Sequence, residues 1–417
     1  MCIAHTPSKS FVMERADVII LGGGLVGSAL GIALDAHGLS SIIVDPADPA
    51  VVQGTGFDGR ASAVASASHR MFDAIGVGER LAGHGCPIKA IRVSDGLAPG
   101  ALDFEPDADD GALGVMYENR RLRTALFEAA SAASRVDLRM QTLPVTTERG
   151  VGGVSVTLSS GDTIRAPLLI AAEGRRSPTR EAAGINVARW QYDHVAMIAT
   201  LNHEHPHDNT AFEIFYPAGP FAILPLLDDA NGHRSAIVWT VDAKDAPGLL
   251  KLGDRGWLAE AEKRMGGFLG TLGPVTQRSS YPLGFHHAAK VTGKRLALVG
   301  DAAHGIHPIA GQGVNLGYRD VAALVEVLVE GKRLGMDLGD AQVLARYERW
   351  RGLDTFMVAS STDLLTRLFG IPGKTASAVR RFGISAVNAI PPLKGRLMAE
   401  ARGESGDLPK LLQGMTV

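Results

Sequence analysis

Cysteine is nearly absent: Cys2 and Cys86 are the two thiols in 417 residues. Two isolated thiols build no disulfide framework and no Cys-x-x-Cys motif occurs, so a reducing cytoplasm is the expected setting. An excess of one charge is missing too. A formal net charge of −2 excludes the broad positive field that nucleic-acid binding requires. No apolar run reaches the roughly 18 residues that cross a bilayer, and residues 1–15 hold no apolar core of signal-peptide length. Met13 offers an alternative start, which would leave residues 1–12 as a disordered tail. No Ser/His/Asp or Cys/His set stands out, which argues against nucleophilic catalysis by the protein itself. His203, His205 and His207 alternate and would share one face of a strand. No cysteine or carboxylate set completes a metal site and Pro206 breaks the run, so a solvated loop and no metal are expected.

Glycine, by contrast, is abundant, with 50 residues, and the apolar fraction is 46%. Both suit an α/β enzyme with many tight turns, and the length calls for more than one core. The first signature is Gly22-Gly23-Gly24-Leu25-Val26-Gly27, a G-x-G-x-x-G carried by Gly22, Gly24 and Gly27. Val18 to Leu21 before it reads as a buried strand, and Ser28 to His37 after it as a helix closed by Gly38. Ser41 to Val44 forms a second strand that ends in Asp45. Strand, glycines, helix and acid in this order bind a dinucleotide. Gly22 makes the turn, Gly24 admits the pyrophosphate, Gly27 lets helix and strand pack, and Asp45 holds the ribose.

A second signature lies in residues 298–320. The apolar run Leu296 to Val299 ends in Gly300-Asp301, followed by Gly311-Gln312-Gly313 and a helix from about Val314. Asp301 can accept hydrogen bonds from sugar hydroxyls, and the helix start can face phosphate or a reduced ring. Two nucleotide signatures so far apart suggest one long dinucleotide held at both ends.

The organisation between them is discontinuous. Residues 118–134 have helical periodicity, with Leu122, Ala125, Leu126 and Ala129 on one face. Residues 154–158 and 162–166 read as a hairpin around Ser-Ser-Gly, and Leu168 to Ala172 as a buried strand ending in Glu173-Gly174. Residues 186–282 alternate, as in Phe212-Glu213-Ile214-Phe215-Tyr216, which predicts an inserted antiparallel sheet. The expected division is therefore a nucleotide-binding part over 1–185, of which roughly 86–115 are candidates to join the second sheet. A substrate domain follows over 186–282, a second nucleotide-binding part over 283–340, and a helical region over 341–417. No internal repeat or low-complexity tract is visible.

These motifs resemble, in order and over nearly the whole chain, the FAD-dependent aromatic hydroxylases of the para-hydroxybenzoate-hydroxylase-like class. The ubiquinone-biosynthesis hydroxylase family is closer still. Its patterns are matched by Asp58 to Val64 followed by Ser68, by Phe215 to Leu226, by Ala310 to Gly317 with Arg319-Asp320, by Tyr347 to Arg351, by Thr362-Asp363 and by Leu368-Phe369. Glu173 departs from the family, which usually has Asp there. The resemblance implies an α/β fold: a Rossmann-like FAD-binding domain, an inserted antiparallel-sheet substrate domain and C-terminal helices. It implies a FAD-dependent monooxygenase, with O2 as oxidant and NAD(P)H, a reductase or a ferredoxin as transient electron donor.

The cofactor-binding residues it implies are Gly22, Gly24, Gly27, Asp45, Arg60, Asn119, Arg123, Glu173, Gly174, Gly300, Asp301, Pro308, Gly311, Gln312, Gly313, Val314 and Asn315. No protein side chain stands out as the catalyst; His304, His307 and Pro308 are candidates beside the ring. Phe215, Pro217, Gly219 and Pro220 would face the substrate, a prenylated phenol or benzoquinol. A lipid tail implies contact with a membrane surface or a ubiquinone-biosynthesis assembly, for which Leu364 to Met398 is one candidate and plain helical packing the other. Two alternatives stay open. One is a small soluble aromatic acid as substrate, for which Arg234 is the one obvious carboxylate clamp between Trp190 and Lys251. The other is a flavin-bearing subunit without turnover of its own. A flavin halogenase is disfavoured because Trp-x-Trp-x-Ile-Pro is absent.

Overall fold

The computed structural model describes residues 14–54, 56, 59–106, 111–305, 312–352, 387 and 390–417. Its strands are, in chain order, β1 (Val18–Leu21), β2 (Ser41–Val44), β3 (Ala61–Ala65), β4 (Gly85–Ile88), β5 (Ala90–Asp95), β6 (Ala101–Phe104), β7 (Gly114–Glu118), β8 (Val136–Arg139), β9 (Pro144–Gly150), β10 (Gly153–Leu158), β11 (Thr163–Ala166), β12 (Leu168–Ala171), β13 (Val187–His203), β14 (Thr210–Tyr216), β15 (Gly219–Asp229), β16 (Gly232–Asp242), β17 (Leu272–Val275), β18 (Ser279–Ala288), β19 (Thr292–Gly293), β20 (Leu296–Leu298) and β21 (His304–Gly305). The helices used below are α1 (Leu25–Ala36), α2 (Ser66–Ala74), α3 (Asn119–Ala132), α4 (Asp254–Met265), α5 (Gln312–Arg333) and α6 (Pro391–Ala401).

Short apolar runs buried at every position, β1, β2 and β12, can only be covered on both faces. They form the centre of a sheet ordered β19-β20-β12-β1-β2-β8, parallel from β20 to β8. Helices α1 and α5 supply Ala29, Leu30, Ala33, Val321, Leu324 and Leu328 to the same core. The hairpin read around Ser-Ser-Gly is β10 and β11, and β9 extends it to three strands.

The second layer is a nine-stranded sheet. Its main path runs β21-β18-β13-β16-β15-β14-β5-β6, with β17 paired to β13. It is antiparallel except where β14 meets β5. Strands β5 and β6, far upstream of β13, thus lengthen the inserted sheet. One face is closed by α4: Ile214, Phe221, Ile223, Trp239 and Val241 pack with Trp257, Ala261 and Met265. The opposite face turns toward the nucleotide-binding part. There Leu226 and Ala236 pack with Cys86 and Met116 of a small sheet ordered β3-β7-β4. Arg234 on that face pairs with Glu118 at the end of β7, 2.7 Å away.

Candidate active site

The three glycines of the first signature do three different things. Gly22 has φ of +103° and a Cβ there would lie 2.4 Å from the Ala172 carbonyl oxygen. A Cβ on Gly27 would lie 1.9 Å from the Gly22 oxygen, so only glycine lets α1 pack against the turn. A Cβ on Gly24 would meet no protein atom within 4 Å. Gly24 is the N-cap of α1, whose first turn has neither a side-chain cap nor an acidic residue. An uncapped helix start behind an unobstructed glycine suits an anion. Asp45, half-buried, accepts from the backbone N–H groups of Gly23 (2.6 Å) and Ala47 (2.7 Å). Each carboxylate oxygen can accept a further bond.

The second signature closes onto the first through small residues. Gly300 has φ of +58°, and a Cβ there would stand 3.1 Å from Val26 Cγ2; on Gly317 of α5 it would stand 2.6 Å from the same methyl. The turn Gly300–Ala302 is then pinned at three points. Gly300 N–H donates to Asp320 Oδ2 at 2.8 Å. His286 Nε2 donates to the Asp301 carbonyl at 2.8 Å. Arg180 Nη1 donates to the Ala302 carbonyl at 2.9 Å. Burial pushes the His286 imidazole down to about 4, so at neutral pH it is the neutral donor this bond requires.

With its backbone pinned, Asp301 presents its carboxylate. Surrounding protein raises that carboxyl above its usual range, opposed by Arg175, whose Nε lies 3.9 Å away. Yet half of the side chain is accessible. A group hemmed in by protein and still accessible lines the floor of an opening. Tyr281 repeats the pattern: its phenol is pushed up by its surroundings, opposed by Arg175 and Arg60, while the residue is exposed. Asp301, Arg175, Arg60 and Tyr281 therefore face a common opening between the two sheets.

The other predicted residues distribute around it. Asn315 is buried, and its amide accepts from Ala65 N–H and donates to the Ala63 carbonyl, both at 2.9 Å, tying α5 to β3. The Arg60 carbonyl accepts from Asn119 N–H at the start of α3, and Ser62 Oγ donates to Asn119 Oδ1 at 2.7 Å. Arg123 is half-buried one turn on. Gly313 and Val314 begin α5 beside Gln312. Glu173 turns elsewhere: its longer side chain accepts from Ser177 Oγ (2.6 Å) and Thr179 Oγ1 (2.9 Å), at the start of the short helix Pro178–Ala182. Gly174 follows with φ of +80°. His304 is buried and bonds Asp320 through Nε2 at 2.6 Å. His307, Pro308 and Gly311 lie outside the described residues, as do Asp58 and most of the stretch Leu364 to Met398.

Phe215 and Pro220 are cross-strand partners and both are buried. Pro217 is exposed in the turn, and Gly219 closes it with φ of +111°. His203 bonds the His205 carbonyl and Ser235 Oγ, and His207 bonds the Leu226 carbonyl and Asn209 N–H. His203 and His207 are thus buried, hydrogen-bonded residues rather than parts of a solvated loop. Pairing sets His203: β13 runs on to it, between β16 and β17 in the sheet. Sequence reading passed over Arg175, Arg180, Tyr281 and His286, and it met Asp320 and Arg351 within matched motifs without giving them a role; the basic pair after Gly174 was the available signal for the first.

The chain matches the FAD binding domain family over residues 15–352. It is 43% identical to ubiquinone hydroxylase UbiL of Rhodospirillum rubrum over 99% of this chain and 96% of that one. It is 33% identical to 3-demethoxyubiquinol 3-hydroxylase of Escherichia coli, over 94% and 99% of the two chains. The chain belongs to the ubiquinone-biosynthesis FAD-dependent hydroxylase family. Human ubiquinone biosynthesis monooxygenase COQ6 is a further member, 30% identical over 92% of each chain. The fold extends beyond the family. It superposes on p-nitrophenol 4-monooxygenase PnpA of Pseudomonas putida with a TM-score of 0.77 at 18% identity, covering 95% of this chain and all of that one. As a FAD-dependent monooxygenase family member, the chain has a donor set that fits the cofactor. The uncapped α1 start suits its phosphates, the carboxylates Asp45 and Asp301 suit its hydroxyls, and Arg175 and Arg60 line the opening at Asp301.

Proposed function

We propose that this enzyme hydroxylates the ring of a polyprenylated phenol or benzoquinol in ubiquinone biosynthesis, with FAD as resident cofactor and O2 as co-substrate. NAD(P)H, a reductase or a ferredoxin is the transient donor. Reduced FAD would supply the electrons that split O2, one atom going to the ring and the other to water. The chain's own work is holding and orienting. Gly24 and the first N–H groups of α1, with Arg60, take the pyrophosphate; Asp45 takes the adenosine ribose; Asp301 takes the hydroxyls at the other end. Gly313 and Val314 at the start of α5 face the ring. Phe215 and Pro220 exclude water from the substrate's side of the opening.

The observation that carries this reading is the chemistry of the sheet face turned to the opening. Register places Ala196, Ile198, Val238, Ala222, Leu224 and Phe215 on it, with Glu213 and Thr240 as polar points among them. Arg234, the one carboxylate clamp the sequence offered there, is ion-paired with Glu118. A face of this kind suits an apolar prenylated ring better than a small aromatic acid. Contact with a membrane surface, or with a quinone-synthesis assembly, belongs to the same reading, because such a substrate resides in lipid. Among the described residues no helix is long and apolar enough to cross a membrane. Deleting the gene in its native host and profiling quinone-pathway lipids by mass spectrometry tests the reading. Loss of ubiquinone with accumulation of a prenylphenol lacking one ring oxygen is expected. An unchanged ubiquinone pool without accumulation contradicts it.

A further inference from the structure

On the face of the inserted sheet that turns to the opening, one carboxyl has no partner among the described residues. Glu213 sits in the middle of β14, between Ala211 and Phe215 on the same face, opposite Ala222 of β15 and Val93 of β5. It is 9% exposed. The core cluster on one side of it contains Ala211, Leu226, Ala236, Cys86 and Met116; on the other side lies the row that carries Phe215, Pro220 and, at its far end, Tyr281. Among the described residues, the titratable or charged groups on this face and on the layer against it include Asp95, Arg234, Glu118, Tyr281 with Arg60 and Arg175 near it, and Cys86 with Asp228 and Lys89 near it. Arg234 is engaged with Glu118, and Glu213 forms no hydrogen bond or ion pair among the described residues. Its strand neighbours on this face are Ala222, Val93, Ala211 and Phe215, none of which offers a charged or hydrogen-bonding side chain.

Burying a carboxyl without a partner is costly, and sequences keep such a group where a ligand supplies the missing partner. We propose that Glu213 is a catalytic residue that accepts the proton of the substrate's ring hydroxyl. This rests on the functional reading above. The phenolic O–H bond breaks, a carboxyl O–H bond forms, and the electron pair stays on the ring oxygen. From there it is delocalised onto the ring carbons, which makes them better nucleophiles toward the incoming oxygen. When the oxygenated carbon loses its hydrogen as a proton to solvent, Glu213 returns its own proton to the ring oxygen and is reset. The geometry gives one base for one acidic hydroxyl. Burial also matches the two groups: it pushes the Glu213 carboxyl up to about 8, toward the range of a phenol.

The test uses the FAD-loaded full chain, with 2-(3-methylbut-2-enyl)phenol as probe. E213Q should retain flavin content and lower kcat by about 100-fold, with a smaller change in KM. In the wild type kcat should rise through the titration of Glu213, and in E213Q that limb should vanish. E213L, which removes the buried carboxyl, should melt at a higher temperature while being inactive. Equal kcat and equal pH profiles for wild type and E213Q would overturn the role of Glu213 and leave the functional reading standing. A flavin-loaded, reducible wild type that never oxygenates the probe would overturn the functional reading, and the role of Glu213 with it.

Discussion

The Gly300 backbone donates to the buried carboxylate of Asp320, twenty residues on, at 2.8 Å. The same Oδ2 accepts from His304 at 2.6 Å, and Oδ1 accepts from Arg351 at 2.7 Å. Burial alone would raise the Asp320 carboxyl, but His304 and Arg351 more than offset it and hold it below its usual range. One carboxylate thus fixes the turn that presents Asp301, the helix α5 and the helical stretch 341–352.

Asp320→Asn should therefore be a severe change away from the cofactor itself. It takes from the guanidinium of Arg351, 2% exposed, the carboxylate charge 2.7 Å away. The expected loss is about 3–5 kcal/mol in urea unfolding, together with lower flavin retention on gel filtration. A variant as stable and as yellow as the wild type would contradict the role given to this carboxylate.

The glycines of the first signature predict opposite failures. A Cβ at Gly27 collides with the Gly22 carbonyl, whereas a Cβ at Gly24 meets no protein atom. Gly27→Ala should lower the melting temperature of the flavin-free protein. Gly24→Ala should leave the flavin-free protein within about 1 kcal/mol of wild type and weaken FAD binding by at least ~10-fold. Titrating flavin-free protein with FAD by fluorescence quenching separates the two.

Glu213 gives stability a pH dependence of known sign. Its folded carboxyl sits near 8 against about 4.5 in the unfolded chain. The native state binds that proton more tightly, so the contribution is complete below about pH 4.5 and is lost as pH rises through about 8. The upper bound is about 5 kcal/mol. Unfolding of wild type and E213Q, compared across this window, should diverge in favour of E213Q as pH rises. Parallel curves would contradict the unpartnered state of the carboxyl.

Arg234→Met should separate architecture from substrate choice. It leaves Glu118, 5% exposed, with Arg120 as its remaining cation at 2.5 Å, and should cost about 1–3 kcal/mol. Relative turnover of a neutral prenylphenol and of 4-hydroxybenzoate should stay the same. A selective loss of the benzoate reaction would show Arg234 to be a carboxylate clamp.

Much of this was legible in the sequence because it is local. Val18 to Asp45 carries strand, turn, helix and acid in one stretch, and each job of Gly22, Gly24 and Gly27 follows from backbone sterics. The fold class was legible for the same reason, since buried runs and alternating runs occupy different parts of the chain. What stayed hidden depends on contacts between distant residues. Asn315 reaches β3 across 250 positions, and Arg180 reaches Ala302 across 122. No short-range pattern encodes either. The bonds that Glu173 accepts from Ser177 and Thr179 at the start of the next helix were likewise not legible from its place before Gly174. Glu213 was passed over because the alternation of Phe212 to Tyr216 signalled a strand without saying what would cover either face; the pairing with Ala222 and Val93 and the burial of Glu213 appear only in the folded sheet.

The most direct test of the central claim is a single turnover under 18O2. FAD-loaded enzyme, reduced anaerobically, is mixed with 2-(3-methylbut-2-enyl)phenol and labelled oxygen, and the product is weighed by mass spectrometry. The account predicts one 18O atom on the ring of the prenylphenol. Reoxidation of the flavin with all label in hydrogen peroxide or water, and none on the ring, would contradict it.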